Sequence, residues 1–227
     1  MSANQPAFAE RRPHSTNRLW WIVGGAAALL AAVGIAYLVS RALVSNGANG
    51  QPEVTATFPA RTRLAPAFAL RDERGNPVTL ASLRGRPAIV TFIDPLCRDF
   101  CPREASVLSE AAAALGEDAP AIVSVSVDPW ADTAQNLRED AAHWRLPPGW
   151  RWGVGSYGEL AKVWRSYAVA VQVTHKSIAG VKVRNITHTG AAYLIDADGF
   201  ERALFLYPFT SGQVVSATRN MLSSGNE

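Results

Sequence analysis

Cysteine, methionine and histidine are all scarce: the 227-residue chain holds two, two and four of them. Two cysteines cannot build a disulfide-rich scaffold, and four scattered histidines fit no zinc-finger spacing. Met1 and Met221 alone exclude a methionine-rich metal site. An excess of either charge across the main body is also missing. Residues 1–41 carry Arg11, Arg12, Arg18 and Arg41 against Glu10, whereas the remaining 186 residues balance 18 basic with 18 acidic side chains. The net charge of +3 therefore belongs to an N-terminal arm, and a nucleic-acid partner is excluded for want of a basic field. No internal repeat or low-complexity tract occurs, and with 48% hydrophobic residues the chain is not a disordered one.

Most conspicuous among the features present is a run of 22 uncharged residues, Leu19 to Ser40, with Trp20 and Trp21 at one end and Tyr37 near the other. That length crosses a hydrocarbon core of roughly 30 Å as a helix, with aromatics at the interfaces. A cleavable signal peptide is the alternative, but its apolar region spans only about 7–15 residues. Arg11, Arg12 and Arg18 precede the run and only Arg41 follows within the next 20 residues. The positive-inside rule then keeps the N-terminus cytoplasmic and places the main domain outside the cytoplasm, at the cell membrane. The expected organisation is a cytoplasmic arm at 1–18, a single transmembrane anchor at 19–40, a linker at 41–60 and a folded domain at 61–227. The linker rests on the Gly-, Asn-, Pro- and Thr-rich stretch from Ser45 to Pro59.

Within the domain, Phe68 to Leu70, the turn at Gly75 and Asn76, and Val78 to Leu80 predict a short hairpin. The continuous apolar runs Ala88 to Ile93 and Ala121 to Val127 predict strands covered on both faces. Helices are predicted over Pro102 to Leu115 with Gly116 as stop, Asp132 to Trp144, Tyr157 to Tyr167, and from about Gly212 onward. Strands at Ala191 to Ile195 and Ala203 to Leu206 flank a turn at Asp198 and Gly199. This order predicts an α/β fold with a mixed central sheet flanked by helices, as in thioredoxin-like proteins.

Both cysteines fall between a buried strand and a helix, in Asp94-Pro-Leu-Cys97-Arg-Asp-Phe-Cys101-Pro102. That carboxyl-end crevice is where open α/β sheets bind ligands. Cys101, next to the helix start, is expected to be favoured as thiolate by the helix N-terminus. Three intervening residues leave slack for a metal ion between the sulfurs while still permitting a disulfide. Two thiolates suit Cu(I), and one imidazole would complete a three-coordinate site. A structural disulfide or two buried thiols remains the plain alternative.

The segments Ala65-Pro-Ala-Phe-Ala-Leu, Leu83-Arg-Gly-Arg-Pro-Ala-Ile-Val-Thr-Phe, Cys97-x-x-x-Cys101-Pro102, Val127-Asp128-Pro129-x-x-Asp132-Thr133 and His188-Thr-Gly-Ala-Ala-Tyr-Leu-Ile-Asp196 resemble the Sco/SenC family of membrane-anchored copper proteins. The resemblance runs from about Ala65 to the C-terminus. It implies a thioredoxin-like fold, copper ligation by Cys97, Cys101 and His188, and binding of Cu(I) or Cu(II). The implied task is assembly of the binuclear copper centre of cytochrome c oxidase, by copper delivery or by reduction of that centre's cysteines. The implied partner is the copper-centre subunit of the oxidase or another copper or thiol protein. The competing reading is a thiol-disulfide oxidoreductase that uses Cys97 and Cys101 as a redox pair without stable metal.

No proline lies between Thr187 and Asp196, and Gly190 stands near where a thioredoxin-type reductase places its cis-proline. A general reductase is disfavoured for that reason. Peroxidase chemistry is disfavoured as well, because Thr91 lies six residues before Cys97 with Asp94 between them. The chain departs from the family pattern at Arg98 and Asp99 between the cysteines, and at Asp94 where an aromatic is frequent. Asp94 and Asp99 would flank the metal. Of the other candidates, His175 reads as a residue of a basic loop inside an insertion from Val169 to Ile186, with a fourth-ligand role as the alternative. His143 reads as a helix-end imidazole and His14 as cytoplasmic. Asp128 either orients His188 or caps a turn, and the tryptophans at 130, 144, 150, 152 and 164 divide between core and a docking surface.

Overall fold

The computed structural model describes residues 56–224, together with residues 22, 30, 33–35 and 37, which are helical. The rest of the predicted anchor at 19–40, and His14, lie outside the described residues. Among the described residues no helix is long and apolar enough to cross a membrane. The chain divides into two compact units, Met1–Gly50 and Gln51–Glu227.

The second unit is a mixed α/β structure built on one six-stranded sheet. Its strands are β1 (Ala56–Thr57), β4 (Ala88–Ile93), β5 (Ala121–Ser126), β6 (Arg151–Gly153), β9 (Ala191–Ile195) and β10 (Glu201–Leu206), in the order β1-β10-β9-β4-β5-β6. β4, β5 and β6 run parallel, while β9 lies antiparallel to β4 and to β10. Two separate hairpins complete the strands: β2 (Ala69–Arg71) with β3 (Pro77–Thr79), and β7 (Val171–Ile178) with β8 (Val181–His188). The helices are α1 (Cys101–Leu115), α2 (Ala134–His143), α3 (Tyr157–Ser166) and α4 (Ser211–Ser224).

The sheet is buried on both faces, and β4 shows why its sequence is a continuous apolar run. Val90 and Phe92 face a core with Leu160, Val163 and Trp164 of α3. Ile89 and Ile93 face the opposite core, with Leu108 of α1, Leu137 of α2 and Val214 of α4. Every residue of β4 is buried, as a central strand with covered faces requires. Local signals set the helix ends. Gly116 ends α1 at φ 60°, where a side chain would be strained. The Thr133 hydroxyl accepts from the Asn136 amide at the start of α2, and Ser156 with Glu159 forms a capping box on α3.

Two differences from the sequence-based expectation concern strands. Ala56–Thr57, within the stretch read as linker, pairs with β10 at the sheet edge. The expected basic loop around His175 is the β7–β8 hairpin, in register from Val171 opposite His188 to Ile178 opposite Val181. The alternations Val171-Gln-Val173-Thr and Val181-Lys-Val183-Arg about the Ala179-Gly180 turn were the available signal, diluted by the polar run from Thr174 to Ser177.

Candidate metal and dithiol site

The site begins where β4 runs out. The Asp94 carboxylate accepts from the Leu96 amide at 2.7 Å, and the Asp94 carbonyl accepts from the Cys97 amide at 3.1 Å. This turn carries the chain from the sheet into the first turn of α1, where Pro102 costs no hydrogen bond. Cys101 opens α1 with no exposed surface, and Cys97 is half-buried above it. The two are not joined in a disulfide.

The two sulfurs differ in charge. The Cys101 amide points at the Cys97 sulfur, 3.4 Å away. A hydrogen bond from the Cys101 thiol, outweighing burial, holds the Cys97 thiol down at about 6, with the amides of Asp99 and Cys101 adding to the effect. Donating that hydrogen bond and lying wholly buried push the Cys101 thiol far up. The thiolate expected at Cys101 from its helix position therefore resides on Cys97. The hydrogen bond donated to Cys97, and then burial, outweigh the helix dipole at Cys101.

His188 ends β8, and the fold brings its Nε2 to 3.6 Å from the Cys101 sulfur. Its Nδ1 lies 3.1 Å from the Thr189 carbonyl oxygen. A carbonyl accepts only from a protonated nitrogen, so Nδ1 carries the hydrogen and Nε2 presents its lone pair to the cysteine. Burial holds the imidazole below its ordinary range and hence neutral. The ring of Phe100 lies 4.9 Å from that of His188 and 5.3 Å from that of Tyr207. Gly190 has to be glycine: a Cβ there would meet Tyr207 Cβ at 2.8 Å and Phe100 Cε2 at 2.9 Å.

The chemistry of these donors suits a soft metal ion, since one thiolate, one thiol and one imidazole lone pair converge. Among the described residues, no group of three or more His, Cys, Asp or Glu side chains is arranged to hold a metal ion. The Cys97–Cys101 and Cys101–His188 contacts thus stop short of a closed three-ligand cage. His175 does not join them. It pairs with Arg184, four residue pairs along the hairpin from His188, on the order of 13 Å at the strand rise.

Burial makes the carboxyl groups around the cysteines weaker acids than usual. Burial raises Asp94 to about 6 and Asp132 to about 7. Asp99 points its side chain into solvent. Arg98 Nη1 donates to the Cys97 carbonyl at 3.1 Å and makes an ion pair with Asp140 at 3.4 Å. Asp128 caps the turn after β5, accepting from the Trp130 amide at 3.1 Å, and makes an ion pair with Arg184 at 3.8 Å. Of the tryptophans, 144, 150, 152 and 164 are buried, while Trp130 is 47% exposed and stacked under Arg184.

Two residues escaped the sequence reading. Glu104, one turn beyond Cys101, is fully buried; the Thr91 hydroxyl donates to one carboxyl oxygen, and the other has no hydrogen-bond partner. Burial pushes its acid up to about 8. Helical spacing was the available signal, because Glu104 lies on the stripe of Cys101, Ala105, Leu108 and Ala111. Phe100 offered no signal, since its role comes from contacts with His188 and Tyr207, both remote in sequence.

A model of the SCO1/SenC family matches residues 56–223. The structure of Bradyrhizobium japonicum ScoI with copper bound superposes with a TM-score of 0.60 at 28% identity, covering 69% of this chain and 98% of that one. Arabidopsis thaliana ScoI with copper bound gives 0.62 at 24%, covering 70% and 99%. BsSco, described as having a disulfide switch and as a member of the Sco family of cytochrome c oxidase assembly proteins, gives 0.55 at 20%, covering 74% and 96%. No curated protein sequence matches the chain.

Proposed function

This chain belongs to the SCO1/SenC family, and from that premise we propose that it is a membrane-anchored copper metallochaperone. It takes Cu(I) through Cys97, Cys101 and His188 and serves assembly of the binuclear copper centre of cytochrome c oxidase. The observation that carries this reading is the 3.6 Å approach of His188 Nε2 to the Cys101 sulfur across 87 residues of sequence. Two sulfurs and one imidazole nitrogen drawn together in this way form a donor set for a soft metal ion.

Cys97 enters as a thiolate, and Cys101 gives up its proton as the ion binds, so uptake releases protons and tightens as pH rises. A small inward movement of Cys97 or His188 completes a three-coordinate site of two sulfurs and one nitrogen, a donor set that favours Cu(I). The copper-bound relative from Bradyrhizobium japonicum supports the choice of metal. Residues 19–40 anchor the domain, with the N-terminus cytoplasmic; exposed apolar side chains at Ile22, Leu30, Val33 and Ile35 on helical backbone support that placement. Labelling of Cys97 in intact cells by a membrane-impermeant maleimide tests the topology, and protection until lysis would overturn it.

Anaerobic Cu(I) titration of the reduced protein, beside Cys97→Ala, Cys101→Ala and His188→Ala, tests the site. One tight equivalent weakened by all three substitutions is expected. The low Cys97 thiol favours a second reading, a thiol-disulfide oxidoreductase: the Cys97 thiolate attacks a substrate disulfide, and Cys101, losing its proton, displaces the reduced product to leave a Cys97–Cys101 disulfide. Dithiol exchange unchanged by His188→Ala, with no stoichiometric copper, would favour this reading instead.

A further inference from the structure

Alternate residues of a strand share a face, so Arg184, Ile186 and His188 of β8 point to one side. Each meets the body of the domain. Ile186 packs with Val171 against the core, and His188 reaches Cys101. Arg184 places Nη1 3.8 Å from Asp128 Oδ1 and its guanidinium carbon 4.1 Å from the centre of the Trp130 ring. The receiving turn is firmly built: the Asp128 amide donates to Ser126, its carboxylate accepts from Trp130, and its carbonyl accepts from Ala131. The hairpin pairs with no strand of the main sheet, and residues 174–184 are exposed. An unsupported two-stranded hairpin has little stability of its own.

We propose that Arg184 is a positioning residue for His188, clamping β8 to the turn after β5 through Asp128 and Trp130 and thereby setting the imidazole against Cys101. This rests on the reading of His188 as a copper ligand. Asp128 acts on the histidine at one remove, through the arginine. A guanidinium suits the task because it can lie over an aromatic face and pair with a carboxylate at the same time.

The test is Cu(I) competition against a chromophoric chelator, using the reduced full-length chain in detergent micelles. Arg184→Ala is expected to weaken binding roughly 10–100-fold, the range for partners that orient a metal ligand. Arg184→Lys should recover most of the affinity, and Asp128→Asn should lose less than Arg184→Ala. In a His188→Ala background Arg184→Ala should add nothing, whereas general unfolding would weaken that protein too. Wild-type affinity in Arg184→Ala, or losses that multiply in the double variant, would overturn the proposal. If the wild-type chain binds no Cu(I), the functional reading fails, and the clamp is read from the metal-free protein. The nuclear Overhauser effect between the His188 and Phe100 rings should vanish in Arg184→Ala and persist in Arg184→Lys; persistence in both would sink the clamp.

Discussion

The hydroxyl of Thr91, midway along the central strand, donates a hydrogen bond to the fully buried carboxyl of Glu104, one helical turn beyond Cys101. Strand and helix are thus joined by a polar contact directly beneath the dithiol. Burial pushes the Glu104 acid up to about 8, against 4.5 ordinarily. The unfolded chain releases this proton first, so the group disfavours the folded state progressively from about pH 4.5 to pH 8. Glu104→Gln removes that penalty. The variant should gain stability relative to wild type by several kcal/mol, as an order of magnitude, between pH 5 and pH 8. Urea unfolding at the two pH values measures it, and a difference that does not grow with pH would refute the assignment.

The contrast between the two sulfurs predicts selective chemistry. Iodoacetamide at pH 7 should alkylate Cys97 first in the reduced, metal-free protein, with a rate that rises with pH through about 6, where Cys97 ionises. Cys101 should resist until the fold opens. Peptide mass spectrometry over a time course distinguishes this from equal labelling.

Gly190→Ala forces a Cβ against Phe100 and Tyr207, both at under 3 Å. An overpacking cost of about 1–3 kcal/mol is expected. Because Phe100 also stacks on His188, copper affinity should fall along with the unfolding temperature. A stable variant with unchanged copper binding would contradict the packing described.

His175→Ala should leave Cu(I) affinity at the wild-type value, since the hairpin holds that ring well away from Cys101. Titration beside His188→Ala makes the comparison direct. Any loss approaching that of His188→Ala would bring His175 back as a ligand.

Local chemistry made much of the domain readable from the chain. Ala88 to Ile93 reads as a doubly covered strand because every residue is apolar, and Gly116 reads as a helix stop because a positive φ favours glycine. The cysteines' place between strand and helix follows from the same local signals. The family resemblance carried His188, which spacing alone could not have chosen from four histidines. The β7–β8 hairpin was harder to read because its alternation is confined to Val171-Gln-Val173 and Val181-Lys-Val183, with polar residues filling most of the rest.

Tertiary structure decided what depends on distance and dielectric. Which cysteine is the thiolate turns first on the hydrogen bond that Cys101 donates to Cys97 and then on the deeper burial of Cys101, and no local rule gives either. The neutral state of His188 and the protonated state of Glu104 likewise come from desolvation by residues remote in sequence. Sequence fixes which groups are present and the turns and helices that hold them locally. Their charge and their mutual reach arise only when the fold brings distant segments together.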